Sequence, residues 1–160
     1  FTGDGFIKPD HVQLIENGRY KDCLVSPRSA MEYGSSINAG SEYPSALELG
    51  AGDLAEEKIL SELGTGLYIN NLWYLNFSDR NACQMTGMTR FACFWVEDGE
   101  IQAPLNVMRF DDSIYDLFGK NLLGLTCERD FILDASTYGQ RSNSSMELPG
   151  VLVAAMCFTL

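Results

Sequence analysis

The chain has 160 residues, enough for one domain with a real core, and its 46% hydrophobic content excludes global disorder. A formal net charge of −11, from 22 acids against 11 bases, disfavours nucleic acid and anionic lipid as partners. No run of about 18 apolar residues occurs, which excludes a membrane-spanning helix.

In chain order, Phe1 to Pro9 is rich in Gly and Asp and predicts a loop or edge strand. Val12 to Val25 reads as strand, Asn17-Gly18 turn, strand, with Leu14-Ile15 expected to face Leu24-Val25. Ser26 and Pro27 are the N-cap and first residue of a short helical turn, and Gly34 ends it. Ser35 to Ala46 is polar and predicts an exposed loop. Leu47-Glu48-Leu49 is a short strand candidate. Asp53 and Glu56 form a capping box. Leu54, Ile59, Leu60 and Leu63 then make one apolar stripe, so a helix of about three turns is expected up to Gly64.

Gly66 to Asn76 predicts a strand, with Asn70-Asn71 as a break or bulge, followed by a polar connection from Phe77 to Gln84. Thr86 to Ile101 holds the central hairpin. Phe91, Cys93 and Trp95 alternate with Ala92, Phe94 and Val96, so both faces of this strand are expected to be covered. Asp98-Gly99 is a type I′ turn signal, and the return strand runs from Glu100 to Pro104. Asn106 to Phe110 predicts a further strand. A second short helix is expected from Asp112 to Phe118, capped by Asp112 or Ser113. Ser136 to Glu147 predicts a loop, and Pro149 to Phe158 a long central strand. Strands with tight turns dominate and no βαβ alternation appears. The fold class is mainly β (α+β), a complex antiparallel β-sheet domain with two short inserted helices. Residues 1–160 are expected to form a single domain.

The five cysteines, Cys23, Cys83, Cys93, Cys127 and Cys157, are odd in number and show no C-x-x-C pair. A disulfide framework or zinc ribbon is not expected, and free buried thiols account for them. His11 is the single histidine and has no second His with which to bind metal or form a triad. Asp111-Asp112 reads as a helix N-terminus rather than as an acid/base pair. Glu97 and Glu100 flank a turn. Arg90, among bulky apolar neighbours, is expected to pair with a carboxylate or to meet a partner chain.

Several motifs occur in one order: Ile15-Glu16-Asn17-Gly18, Ser29-Ala30, Gly66-Leu67-Tyr68-Ile69, Thr86-Gly87 with Arg90, Trp95 to Ile101, and Pro149 to Val153. Together they resemble the C-terminal domain of the TldD/PmbA (TldD/TldE) family over nearly the whole chain. The resemblance implies a cytoplasmic protein of peptide maturation and degradation, some members of which bear the label modulator of DNA gyrase. It implies a mainly-β domain and pairing with a TldD-like or PmbA-like subunit as a homo- or heterodimer. In catalytic members an HExxxH helix and a Cys-Gly in this domain hold zinc. Neither HExxxH nor HExxH occurs here, and Tyr138-Gly139 stands about where Cys-Gly is expected. The chain therefore resembles the non-catalytic PmbA type, with no catalytic or metal residue and no cofactor of its own. Zinc, and with it an active metallopeptidase, is expected only if HExxxH lies upstream. Because the chain begins Phe1-Thr2 without Met, an upstream N-terminal domain is expected. A purely structural dimerisation module is a further alternative. The implied function is binding of a peptide or unfolded polypeptide at a strand edge or groove. Thr86, Gly87, Thr89 and Arg90 are placed at that groove.

Overall fold

The computed structural model describes residues 1–159. The elements are β1 (Ile15–Glu16), β2 (Arg19–Tyr20), α1 (Pro27–Tyr33), β3 (Ala46–Glu48), a 3-10 turn (Glu56–Lys58) and α2 (Ile59–Leu63). There follow β4 (Gly66–Ile69), β5 (Leu72–Asp79), β6 (Gln84–Thr89), β7 (Cys93–Glu97), β8 (Glu100–Pro104) and β9 (Arg109–Ser113). A π-helical turn (Asp116–Lys120), β10 (Leu122–Leu133), β11 (Ser145–Val153) and β12 (Phe158–Thr159) complete the chain. The fold is mainly β with short helices, as its turn chemistry predicts. Pairing is antiparallel in most sheets, but β11 pairs β3 in parallel. The chain divides into two compact units, Phe1–Glu48 with Phe131–Glu147, and Leu49–Asp130 with Leu148–Leu160.

In the first unit, β1 and β2 form the hairpin expected at Asn17-Gly18, whose φ angles of 51° and 73° suit a type I′ turn. The hairpin is shorter than predicted. Ile15 faces Tyr20, and the Leu14 carbonyl accepts from Lys21 N, so Leu14-Ile15 does not face Leu24-Val25. Helix α1 is built as its sequence requires. Ser26 Oγ accepts from Ser29 N at 3.2 Å, Pro27 opens the helix, and Gly34 closes it at φ 67°. The hydroxyls of Ser26 and Ser29 both donate to Glu42, which ties the following loop back to the cap.

In the second unit, β4, β7 and β8 form one sheet, and β5, β6, β9 and β12 another. Asn70-Asn71 breaks the predicted strand into β4 and β5, which join different sheets. The Asp98-Gly99 turn has φ angles of 52° and 77°. Val96 and Cys93 of β7 are buried, but Trp95 and Phe91 are exposed, so the expected cover of both faces is incomplete. Phe91 and Ala92 precede the strand, with Ala92 at φ 54°. The polar connection begins only after Asp79, because β5 continues through Phe77 and Ser78.

Three other expectations are corrected. The helix predicted from Asp53 starts later, because Leu54 is extended. Its N–H donates to Leu125 O and its carbonyl accepts from Cys127 N. The 3-10 turn that follows is met by a distant carboxylate, with Glu56 N donating to Glu128 Oε2 at 3.0 Å. Asp112 lies in β9 rather than at a helix N-cap, and its Oδ2 accepts from Cys157 N. Of the five free thiols only Cys93 is buried.

The Ser26 and Ser29 hydroxyls hold the Glu42 carboxyl at about 2, against an ordinary 4.5. A depressed carboxyl pKa favours the folded form above the unfolded value, and that contribution fades as pH falls from about 4.5 towards about 2. A carboxyl-detected NMR titration is expected to give Glu42 a midpoint near 2. Replacing both serines by Ala is expected to return it towards 4.5. An unchanged midpoint in that variant would remove the serines as the cause.

Candidate functional site

Cross-strand partners share a face of a sheet, and successive residues alternate between faces. In the four-stranded sheet of order β12-β9-β6-β5, one row runs Leu75, Gly87, Phe110, Phe158. This row and Thr89 share the inner face, which is buried at Phe110 and Thr89, 3% and 1% exposed, and open at Leu75 on the edge strand. Rows on the other face are Trp73, Met88, Arg109, Thr159, and then Asn76, Thr86, Asp111. Trp73, Met88 and Arg109 are exposed there.

The four predicted groove residues are thus divided. Gly87 and Thr89 face inward. A Cβ on Gly87 would lie 2.7 Å from Phe110 Cε1 and 2.9 Å from Leu75 Cδ2, so only glycine lets the rings and backbone approach this closely. Thr89 Oγ1 accepts from Met108 N at 2.9 Å, which joins β6 to the residue before β9. Thr86 faces outward. Its hydroxyl donates to Phe110 O and accepts from Arg109 Nε at 3.2 Å. Arg90 follows the strand, and its guanidinium lies 4.6 Å from the Trp73 ring centroid and 5.9 Å from that of Phe91. The expected carboxylate partner is therefore corrected: among the described residues the contacts of Arg90 are aromatic faces.

Strand β6 is paired on both sides, so its own edge is closed. The open edge beside it is β5. Trp73, Tyr74, Leu75 and Phe77 are all exposed along this strand, Tyr74 by 77%. A bulge lies between Trp73 and Asn76, with Tyr74 at φ 54°. Arg80 stacks on Phe77 at 5.4 Å. Natural edge strands are usually short, charged or covered, and a long aromatic edge marks a place where another chain adds. The sequence pattern could have indicated this, since Leu72 to Phe77 is almost wholly apolar. Arg109 had no such signal, because its place beside Met88 depends on the pairing of β6 with β9.

Asp111, read from sequence as part of a helix start, accepts from Gln84 Nε2 at 2.6 Å and Ser78 Oγ at 3.0 Å, and pairs with Arg109 at 3.7 Å. Among the described residues no three His, Cys, Asp or Glu side chains converge as a metal set. Cys127 Sγ donates to Glu128 Oε2 at 3.0 Å. That hydrogen bond pushes the thiol up and the carboxyl down, the reverse of a thiolate prepared for metal. Tyr138 is 99% exposed.

The PmbA/TldA metallopeptidase C-terminal domain family matches residues 1–159. No match was found among curated proteins. A Thermotoga maritima crystal structure bearing the name of a DNA gyrase modulator aligns over 99% of the chain and 35% of its own length, with TM-score 0.76 and 19% identity. TldE from Thermococcus kodakarensis aligns over 86% of the chain and 31% of its own length, with TM-score 0.66 and 19% identity. The chain spans about a third of the length of these two structures, and at this identity the likeness concerns the fold.

Gly87→Ala is expected to lower stability by about 1–3 kcal/mol through overpacking against Phe110. Urea unfolding of the full-length protein would read this as a lower midpoint at unchanged slope. A midpoint equal to that of the wild type would show that Phe110 and Leu75 yield freely.

Proposed function

This chain belongs to the PmbA/TldA metallopeptidase C-terminal domain family, and from that premise we propose that it is a non-catalytic, polypeptide-binding domain of its protein. It takes an extended segment of a substrate peptide or of a TldD-like or PmbA-like partner subunit along the edge of β5. The observation that carries this reading is the exposed aromatic edge Trp73 to Phe77. A free edge offers a row of N–H and C=O groups that pair with any extended chain, whatever its sequence. Side chains on either face of β5 then supply selectivity. Behind the edge, Gly87 and Thr89 hold β6 against its neighbours, Thr86 fixes Arg109, and Arg90 covers Trp73. In this reading the four residues support and border the binding edge rather than forming it.

No zinc chemistry is assigned to the chain. The active-metallopeptidase alternative takes two ligands from an upstream HExxxH and one from this domain, where Cys127 is the candidate it would have to use. The cytoplasmic setting is inherited from the family resemblance. No helix among the described residues is long and apolar enough to cross a membrane, which does not bear on β-barrels.

In the full-length protein, Tyr74→Lys is expected to weaken peptide or subunit binding roughly fivefold, because an edge lysine opposes strand addition. Fluorescence anisotropy with a labelled peptide and sedimentation of the subunit pair together measure it. Unaltered binding by both would sink the edge assignment. Separately, Cys127→Ser is expected to leave the zinc content of the full-length protein, by elemental analysis, as in the wild type. Loss of zinc on that change would make this domain part of a peptidase centre.

A further inference from the structure

The outer row of the four-stranded sheet carries more than an apolar edge. Trp73 and Arg109 are the two cross-strand neighbours of Met88, one on each side. Two strand spacings place their backbones about 10 Å apart. Arg90 lies over the Trp73 ring, so two guanidiniums flank an apolar floor of Trp73 and Met88. The chain has only 11 basic residues against 22 acids, yet two of its arginines border this one exposed row. Arg90 has aromatic partners and, among the described residues, no carboxylate. Arg109 donates Nε to Thr86 and reaches Asp111 only at 3.7 Å. A guanidinium has five N–H donors, so both arginines retain donors facing solvent.

We propose that Arg90 and Arg109 on this open face recognise carboxylates of the bound polypeptide, so that the domain selects acidic extended segments. The inference rests on the strand-edge reading above: the segment pairs along β5, and its end turns from the edge across the outer row towards Arg109, which lies two strands in from β5. Charge complementarity names the occupant: guanidinium forks match carboxylates, and the apolar floor suits an intervening aliphatic side chain. A polyphosphate is the poorer fit. It carries charge on every residue and meets the full repulsion of a −11 chain, whereas a segment with two carboxylates meets far less of it. The carboxylates belong either to Asp and Glu side chains or to a free C-terminus.

The test uses the full-length protein and a labelled peptide of alternating Val and Thr carrying two Glu, with its Gln counterpart. Both are made with free and with amidated C-termini. The Glu peptide is expected to bind about tenfold more tightly than the Gln peptide, with less preference at high salt. Arg90→Met is expected to remove most of that preference, read as the ratio of Glu-peptide to Gln-peptide affinity within the variant, and Arg109→Gln to do the same from the other side of Met88. A preference that follows the free C-terminus instead of the Glu residues supports the carboxylate chemistry and assigns its source. Equal binding of the Glu and Gln peptides, unaffected by amidation of either, would overturn the proposal and leave the edge reading standing. Binding of no peptide at all would overturn the edge reading itself. Stronger competition by a single-stranded oligonucleotide than by the Glu peptide would also overturn it.

Discussion

The ring of Phe110 rests on the bare backbone of Gly87, and this close approach decides which face of the four-stranded sheet is the inner one. A methyl at Gly87 would meet the ring and Leu75 well inside normal contact distance. Once Phe110 and Thr89 are turned inward, strand alternation turns Trp73, Met88 and Arg109 outward with no further choice. The outer row is thus set by a packing constraint on its reverse side. Changes at Gly87 or Thr89 would reach the outer row through register, without either residue touching a ligand.

The described buried hydrophobic residues are small in number and mostly small in size: Ala30, Ala39, Cys93, Val96 and Phe110. Buried hydroxyls stand beside them. Thr126 Oγ1 accepts from Gly150 N at 2.7 Å and donates to Glu128 O at 2.7 Å, so one side chain satisfies two strands. Thr89 does the same between β6 and Met108, and Ser26 between α1 and Glu42. Leaving such a backbone N–H unsatisfied costs about 1–3 kcal/mol, comparable to exposing a buried Val side chain. The elements are therefore fastened at points by hydroxyls as much as by a continuous apolar core. This leaves aromatic side chains of β5 available at the surface.

Local chemistry was legible in the sequence wherever it was sufficient. Asn17-Gly18 and Asp98-Gly99 adopt the positive φ their residue types permit, and Ser26, Pro27 and Gly34 bound a helix of the expected length. Reading failed where a distant partner intervened. The Asp53 capping box was overridden by backbone pairing of Leu54 with Leu125 and Cys127, some seventy residues on. Strand β10 was missed because Gly124 and the run Glu128-Arg129-Asp130 interrupt its apolar pattern. The pair Asp111-Asp112 resembled a helix start but serves as acceptors between strands. Thr86, Gly87, Thr89 and Arg90 are adjacent in sequence, so a linear reading grouped them. The period of two along a strand divides them between faces, and only the sheet pairing supplies Trp73 and Arg109.

Under the proposed function an acidic chain meets an electrostatic problem, since its field attracts any basic segment without selection. In the proposed reading, Arg90 on the Trp73 ring and Arg109 on the far side of Met88 answer it. Stacking holds the Arg90 guanidinium over Trp73 without neutralising it, as a carboxylate partner would. Its charge stays available and its side-chain entropy is already partly lost, so less is lost again on binding. The same arrangement explains why an arginine sits among bulky apolar neighbours on this part of the chain. Its guanidinium lies over Trp73 and near Phe91, and these two aromatic residues hold it at the end of the strand where an added segment would pass.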